Sequence, residues 1–343
     1  MTGLPQPSAA LQAFVHRQGL AEPGTLLRWT ALTGGVSSDI WRLDLPGRSL
    51  CIKAALPRLK VAGDWQAPVA RNAHEWDWIC FAHETLPGVV PQPVAHDAAL
   101  GAFAMDFLDG ALYPVWKALL LQGRIETATA EQVASTLARL HGCSAGNDAL
   151  REQFATDDIF YPIRLEPYLI ETSRKHPQLR VMLEQMSEST LATKLALVHG
   201  DVSPKNILIG PTLPVILDAE CAWYGDPAFD LAFCLNHLML KCVARRPWTT
   251  QYLACFDRLA QTYLAAVSWE SAQDLEARVA RLLPALLLAR VDGKSPVEYI
   301  VDEADKDLVR SVAVPLIRKP PASLAEVRQA WQLALTRAGD APR

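Results

Sequence analysis

The spacing of hydrophobic residues divides the chain into a strand-rich first third and a mainly helical remainder. Between residues 39 and 45, hydrophobic and polar side chains alternate, which is typical of a strand with one buried face. The pattern predicts an antiparallel sheet together with a helix from about residue 68 to residue 83 and a short helical pattern at 11–15. Other strand-like segments lie at 25–32, 50–54 and 101–108.

From residue 112 onward the hydrophobic positions recur mainly at helical spacing. The segment Thr129–Gln132 has the sequence of a capping box, which predicts a helix start there. One interruption consists of short strand-like segments on either side of residues 199–206. We therefore predict an α+β fold with a small antiparallel β-rich N-terminal lobe and a larger, mainly helical C-terminal lobe. The predicted parts are residues 1–105, a hinge at 106–110, and residues 111–343.

Composition and charge exclude several classes of protein. The 343 residues carry a formal net charge of -4 and no basic block, which argues against a general nucleic-acid or membrane-surface binder. The hydrophobic runs fall short of the roughly 20 residues that span a bilayer, and no signal peptide is evident. Seven scattered cysteines without a CxxC pair indicate reduced thiols, so we expect a cytoplasmic protein without structural zinc.

Three polar residues form the strongest chemical signal in the sequence. Asp201 is followed five residues later by Asn206, and Asp218 comes after a predicted hairpin. Phosphoryl transfer needs an oriented hydroxyl, metal ions that bridge the phosphates, and charge stabilisation of the moving group. Asp201 is suited to accept the proton of the hydroxyl, whereas Asn206 and Asp218 offer the oxygen ligands that Mg²⁺ prefers. The set predicts a magnesium-dependent phosphoryl transfer site.

The same segments resemble motifs of the aminoglycoside phosphotransferase and choline kinase superfamily. His199–Asn206 is similar to its catalytic loop HGDxxxxN, Leu217–Glu220 resembles its metal-binding strand end, and Gly225–Ala232 resembles its GDPxxDLA segment. The resemblance covers roughly residues 25–240. It implies the protein-kinase-like two-lobe fold, with ATP and Mg²⁺ as the cofactors.

The resemblance also assigns residues of the first lobe to the nucleotide. Lys53, in a hydrophobic strand, looks like the lysine that holds the α- and β-phosphates, and Glu75 looks like its ion-pair partner. The turn 33–38 lies between two predicted strands, where the family has its phosphate-covering loop. Its paired glycines would let the backbone approach phosphate oxygens. The alternatives are a plain hairpin turn at 33–38 and, for Lys53 and Glu75, charges that only face solvent. The candidate nucleotide-binding residues are Gly34, Gly35, Ser37, Ser38, Lys53, Glu75, Asp106 and Leu108.

The catalytic loop departs from the family pattern at one position. Many relatives have histidine where this chain has Ser203, and Ser/Thr protein kinases have lysine there. This chain instead places Lys205 directly before Asn206, as tyrosine kinases place arginine. We hypothesise that Lys205 steadies the transferring phosphate, and we assign it a catalytic role beside Asp201. The alternative is a solvated lysine of the loop.

The spacing after the second aspartate indicates the size of the acceptor. Only seven residues separate Asp218 from Asp226, which leaves no room for the long activation segment that docks peptides in protein kinases. The acceptor pocket must then come from the C-terminal helices. Candidates are Asp292 or Lys294, beside the Ser295–Glu298 capping box that predicts a new helix, and Trp223 and Tyr224 for stacking on a ring or amine. The alternatives are simple helix capping for the first pair and packing for the two aromatic residues.

These patterns together predict an ATP-dependent kinase that phosphorylates a hydroxyl of a polar metabolite. An amino alcohol, a sugar and an aminoglycoside-like compound all remain open as acceptors. The alternative is a catalytically silent, kinase-like module that binds nucleotide and regulates a partner. Because Lys53, Asp201, Asn206 and Asp218 are all present, the sequence favours the enzyme. No nucleic acid or membrane partner is expected.

Overall fold

The computed structural model describes residues 6–22, 24–32, 38–56 and 71–340. The chain divides into two compact units. The first contains residues 1–113 together with the short segment 217–220, and the second contains residues 114–216 and 221–343. The return of segment 217–220 to the first unit means that Asp218 belongs structurally to the sheet-bearing part of the chain.

The first unit is built on a five-stranded antiparallel sheet with the order β1-β2-β3-β5-β4. Its strands are β1 (Arg28–Ala31), β2 (Ser38–Leu45), β3 (Arg48–Ala55), β4 (Pro93–Asp97) and β5 (Ala102–Asp106). Two helices, α1 (Ala9–Arg17) and α2 (Arg71–Thr85), accompany the sheet. Part of the predicted turn at 33–38 and the start of the predicted helix at residue 68 lie outside the described residues.

Alternation along β3 gives its two faces different tasks. Leu50 and Ile52 are fully buried in a hydrophobic core with Phe14 and neighbouring residues of α1. Because successive side chains of a strand point to opposite faces, Lys53 lies on the other face, where it meets α2. The sheet therefore buries one hydrophobic face against α1 and places Lys53 on the opposite face, toward α2.

Strand β4 was not predicted from the sequence. All five of its residues are half-buried, so the hydrophobic alternation that marks a strand is missing. It pairs with β5 at the edge of the sheet, and Pro93 can stand there because an edge strand need not donate every backbone hydrogen bond.

The second unit is mainly helical. Its long helices are α4, α8, α9, α10, α11, α12 and α13, which span Thr127–Ser144, Arg180–Ala192, Ala228–Ala244, Thr249–Ala265, Ala272–Asp292, Glu303–Arg318 and Leu324–Asp340. Shorter helices are α3 (Trp116–Leu121), α5 (Asp148–Gln153), α6 (Asp157–Phe160) and α7 (Glu171–Lys175). Two short hairpin-like pairs complete it: β6 (Ala196–Val198) with β9 (Trp223–Gly225), and β7 (Ile207–Ile209) with β8 (Pro214–Ile216).

Helix α9 forms the centre of this unit. Every residue from Ala228 to Val243 is buried, including polar ones such as Lys241. A helix that is buried on all sides must pack against neighbours around its whole circumference, and α10 and α11 both lie against it. No described helix is long and apolar enough to cross a membrane.

Two predicted helix starts are wrong. Helix α4 begins at Thr127, with Glu126 as its N-terminal cap, so Thr129 is a buried residue of the first turn and not a capping residue. The segment after Gly293 does not form a helix, because the Val297 N–H donates to the Arg290 carbonyl at 2.9 Å and its side chain is buried. These tertiary contacts outweigh the local capping signal, and the next helix starts only at Glu303.

Candidate active site

A buried ion-pair cluster occupies the first unit. The Lys53 Nζ lies 2.7 Å from a carboxylate oxygen of Glu75 on α2, and it also contacts Oδ1 of Asp218. The side chains of Lys53 and Glu75 are only 5% and 2% exposed, whereas that of Asp218 is 31% exposed. The structure therefore joins a strand, a helix and the segment 217–220 through one ammonium group.

Electrostatics keeps this lysine charged. Burial alone would lower the pKa of Lys53, but the carboxylates of Asp218 and Glu75 outweigh burial and raise it. Burial raises the pKa of Glu75 above its ordinary value, and the neighbouring Lys53 opposes that rise. A fixed, protonated amine beside the partly exposed Asp218 is suited to contact phosphate oxygens.

The segment that carries Asp218 has an unusual backbone. Asp218 has a φ of 70°, the only positive φ outside glycine among the described residues. Aspartate and asparagine tolerate this left-handed conformation better than most residues, so the geometry restricts which side chain can stand here. Two residues later, Glu220 pairs with the buried Arg71 of α2 at 3.2 Å. This second ion pair, which the sequence did not reveal, fixes the segment to the same helix that carries Glu75.

The remaining nucleotide candidates of the first unit are only partly described. Ser38 is buried at the start of β2, Asp106 ends β5, and Leu108 follows it as a half-buried residue. Gly34, Gly35 and Ser37 lie outside the described residues. The proposed contacts of all six with nucleotide stay predictions.

In the second unit, residues 199–206 form the loop between β6 and β7. The carboxylate of Asp230, at the start of α9, accepts hydrogen bonds from the backbone N–H groups of His199 and Gly200, both at 2.8 Å. His141 supports the same carboxylate through Nε2 at 3.1 Å. Gly200 has a φ of 79°, and a side chain there would come within 2.7 Å of the Cys221 carbonyl oxygen. Asp230 thus holds the loop in place.

Asp201 lies in this loop with its side chain between two cations. Its Oδ2 is 2.9 Å from Arg164 Nη2 and 3.2 Å from Lys205 Nζ. The Asp201 side chain is 7% exposed, whereas that of Lys205 is 54% exposed. His199 Nδ1 accepts the Asp201 backbone N–H at 3.1 Å, so the histidine orients the loop from below and does not face a substrate as a base.

Arg164 is a site residue that the sequence pattern did not reveal. It is buried in a π-helical segment, Tyr161–Ile170, which contains Pro167. A proline inside a helix removes one hydrogen bond of the ladder, and a π-helical turn is one way to accommodate it. The Arg164 guanidinium also donates to the carbonyl oxygens of Gly200 and Ile163. The only sequence signal was a charged residue within a proline-interrupted hydrophobic run.

Asn206 has the donor chemistry that a magnesium site requires. It is 6% exposed, and its Nδ2 donates to the Asp201 carbonyl at 3.1 Å. This bond fixes which end of the amide is free, so Oδ1 is the end left for a ligand among the described contacts. An amide oxygen and the carboxylate of Asp218 are hard donors of the kind that Mg²⁺ binds. The two predicted ligands therefore fit the ion in chemistry.

Two acceptor candidates are wrong for a simple reason. Trp223 and Tyr224 are 0% and 1% exposed, and Trp223 stacks on Phe160 with ring centroids 4.1 Å apart. Neither ring can stack on a substrate. Asp292 is likewise engaged, because Arg310 binds its carboxylate at 2.7 and 2.9 Å and His176 binds it at 2.8 Å. These contacts tie α11 to α12 and α7 and outweigh burial, so the pKa of Asp292 is lowered.

Comparison with known proteins identifies the family. The model of the phosphotransferase enzyme family matches residues 28–260. The chain belongs to this family. A methylthioribose kinase of Bacillus cereus is 24% identical over 235 residues, which cover 60% of this chain and 58% of that protein. A methylthioribose kinase of Bacillus anthracis matches over the same shares. The chain thus spans less than two thirds of the length of these curated relatives.

Solved structures confirm the predicted fold class. An ethanolamine kinase of Plasmodium vivax superposes with a TM-score of 0.54 at 13% identity, over 97% of this chain and 88% of that one. A spectinomycin phosphotransferase, solved with ADP and spectinomycin, gives a TM-score of 0.51 at 12% identity, over 94% and 98% of the two chains. At this identity the likeness establishes the protein-kinase-like α+β fold.

Proposed function

We propose that this protein is an ATP-dependent kinase that transfers the γ-phosphoryl group to a hydroxyl of a small polar molecule. Membership of the phosphotransferase family supports this proposal. The observation that carries it is the buried carboxylate of Asp201, held by Arg164 on a loop that Asp230 anchors. Such rigid positioning is what phosphoryl transfer asks of a protein.

In the proposed reaction, Asp201 accepts the proton of the acceptor hydroxyl. Because Arg164 binds one oxygen of Asp201, the carboxylate keeps one orientation toward the hydroxyl whose proton it accepts. Lys53 contacts the phosphates of the nucleotide, and Glu75 holds Lys53 in place. Lys205 is suited to stabilise charge on the transferring group, because more than half of its side chain is exposed beside Asp201.

Asn206 and Asp218 are the residues that would hold Mg²⁺. The ion, when bound, neutralises the phosphate charge and helps orient the groups that react. The protein contributes the orientation of the Asn206 amide and the left-handed backbone of Asp218.

The acceptor is proposed to be a small molecule because the chain after Asp218 offers no docking surface. Ala219 and the residues from Cys221 to Gly225 are buried, and β9 pairs directly with β6. Asp226, which follows, is bound by Arg278 at 3.0 Å. A peptide substrate would need an exposed segment here. The name of the curated relative, methylthioribose kinase, supports a sugar as one acceptor class. A cytoplasmic location is also proposed, because the scattered cysteines indicate reduced thiols.

A coupled ADP-release assay tests the proposal across sugars, amino alcohols, hydroxylated amino acids and aminoglycosides. At least one acceptor should stimulate ADP release by the wild-type protein, and Asp201→Asn should abolish the stimulated rate while ATP binding persists. The matched control is Asp148→Asn, whose side chain is 90% exposed, and it should keep the wild-type rate. A protein that binds ATP but releases no ADP with any acceptor would instead be the silent nucleotide-binding module.

A further inference from the structure

A second group of polar residues lies in the second unit, outside the catalytic loop. We name Lys241, Arg290, His237 and Tyr299 the basic cluster. Phe233, His237 and Lys241 follow one another at intervals of four along α9, so they share one face of that helix. Arg290 comes from the end of α11, and Tyr299 comes from the segment that follows it. None of the four is used in the mechanism described above.

Lys241 is the least expected member of the cluster. It is 0% exposed, and its Nζ donates to the His237 carbonyl at 3.4 Å and lies 5.2 Å from the centre of the Tyr299 ring. Within the described part of the chain, no carboxylate lies within ion-pair distance of it. The carboxylate that raises its pKa, Glu298, is paired with Lys117. A buried lysine normally has a carboxylate partner, because burying an unpaired charge is unfavourable.

Arg290 also lacks a carboxylate among the described residues. Its Nη1 donates to the Tyr168 hydroxyl at 3.0 Å and to Ser295, including Oγ at 3.1 Å. These partners are neutral, so the guanidinium charge is oriented but not compensated. Lys241 and Arg290 therefore form a local excess of positive charge in a chain whose net charge is -4.

Three buried polar atoms of the basic cluster have no hydrogen-bond partner among the described residues: His237 Nε2, Tyr299 Oη and Arg290 Nε. Ser203 Oγ, on the catalytic loop, is in the same position. Buried polar atoms of folded proteins are nearly always hydrogen-bonded, so these atoms are available to bind a ligand. Burial, with Arg290 and Lys241 nearby, lowers the pKa of His237, so its ring is neutral and offers one N–H. Most of these groups can donate, and their natural partner is an anion.

A short series of contacts links the basic cluster to Asp201. Arg164, which binds Asp201, has its guanidinium carbon 6.0 Å from the centre of the Phe233 ring. The Phe233 ring lies 5.6 Å from that of His237. Helix α3, which carries Lys117, packs against the turn 204–206 of the catalytic loop. One aromatic ring thus separates the Asp201–Arg164 pair from the basic cluster.

We propose that the acceptor carries an anionic group, a carboxylate or a phosphate, and that the basic cluster binds this group while the acceptor hydroxyl meets Asp201. The inference rests on the proposed kinase function and narrows its substrate class. In the reaction, the hydroxyl oxygen forms a bond to the γ-phosphorus and the bond from that phosphorus to the departing ADP oxygen breaks. The hydroxyl proton passes to Asp201. A polycationic acceptor would be repelled by the same cluster.

The first experiment measures anion binding without knowledge of the acceptor. Malonate and inorganic phosphate are the probes, and the change in melting temperature is compared with that in chloride at equal ionic strength. We expect at least one of the two to stabilise the wild-type protein. Arg290→Gln should weaken the binding of that probe by about 10- to 100-fold, because a charged donor to a buried anion is lost. The matched control Arg258→Gln, at a side chain that is 51% exposed, should bind it like wild type.

A second variant protects this experiment against a folding defect. Lys241→Met keeps the size and hydrophobic character of the buried site and should also lose the response to the anion. If neither malonate nor phosphate stabilises the wild-type protein, or if both variants respond as wild type does, the proposal is overturned. A response to malonate alone indicates a carboxylate acceptor, and a response to phosphate alone indicates a phosphate ester.

The second experiment separates this proposal from the kinase function itself. ADP release is measured with two matched series, namely glycerol, glycerate and glycerol 3-phosphate, and ribose, ribonate and ribose 5-phosphate. An anionic member should exceed its neutral counterpart in kcat/KM by about tenfold or more, the effect of one charged hydrogen bond. Preferred turnover of glycerol or ribose would leave the kinase function intact and refute the anionic acceptor. In Arg290→Gln, KM for the anionic acceptor should rise while KM for ATP stays at the wild-type value.

Discussion

Lys241→Met should stabilise the protein, although it removes a polar residue from the centre of the second unit. The lysine is fully buried on α9. Burial, and then the repulsion of Lys117 and Arg290, lowers its pKa from 10.5 to about 7. Cys234 and Glu298 act in the opposite direction and are outweighed. Methionine fills a similar volume and needs no hydrogen-bond partner.

The size of the effect follows from this pKa. A difference of 3.5 between 10.5 and 7 corresponds, at 1.36 kcal/mol per unit, to an upper limit of about 5 kcal/mol. Between pH 7 and pH 10.5 the unfolded chain binds the Lys241 proton more tightly than the folded one. Stability due to this group therefore rises with pH across that range and is lowest below pH 7. Relief of this penalty should raise the free energy of unfolding at pH 7 by about 1–4 kcal/mol.

Urea denaturation followed by circular dichroism at 222 nm measures this effect, because the second unit is mainly helical. The gain of Lys241→Met over wild type should be largest at pH 7 and below, and should shrink by pH 9.5. Lys319→Met, at an exposed position, should change stability by less than about 0.5 kcal/mol at either pH. If Lys241→Met destabilises the fold at pH 7, the lysine has a compensating partner and the reasoning about an unpaired buried charge is refuted.

Two further predictions concern the loop around Asp201. Lys205→Met should lower kcat by roughly 100-fold and leave ATP affinity within about twofold, because a group that acts on the transition state contributes little to ground-state binding. Stopped-flow turnover and nucleotide titration measure the two quantities, and an unchanged kcat would contradict the role. Arg164→Lys should lower kcat by about tenfold and leave ATP affinity near the wild-type value, because one ammonium replaces three guanidinium contacts around Asp201. Reduced thermal stability with an unchanged kcat would mean that Arg164 is only structural.

Much of the fold could be predicted because the first lobe follows a simple rule. Alternation along 39–45 predicts which face of the sheet is buried, and α1 covers that face. The fold class was confirmed, whereas strand β4 was missed. An alternating strand has a signature in the sequence, whereas an edge strand whose residues are all half-buried has none.

The site was predictable where chemistry fixes the spacing along the chain. Lys53, Glu75 and Asp218 meet in the structure as the motifs indicate, and their roles toward nucleotide remain predictions. Arg164 could not be found in this way, because its contact with Asp201 joins residues 37 positions apart through a π-helical segment. No local sequence pattern indicates which carbonyl or carboxylate a buried arginine will bind. The capping-box prediction at Ser295 failed because the Val297 N–H donates to the Arg290 carbonyl instead of starting a helix, and the one at Thr129 failed because α4 already begins at Thr127.

The loss of stability caused by burying Lys241 is itself an argument that this residue has a function. A buried lysine without a carboxylate lowers stability, and a hydrophobic residue at the same place would remove the penalty. Glu298 is close enough to influence Lys241, yet it is paired with Lys117 and its side chain is 65% exposed. Lys241 therefore stays without a carboxylate partner among the described residues, beside Arg290, in a protein that is acidic as a whole. The net charge would repel an anion at a distance, so recognition must come from these few fixed groups. It follows that removing Arg290 or Lys241 should reduce anion binding more than any change in the net charge of the surface.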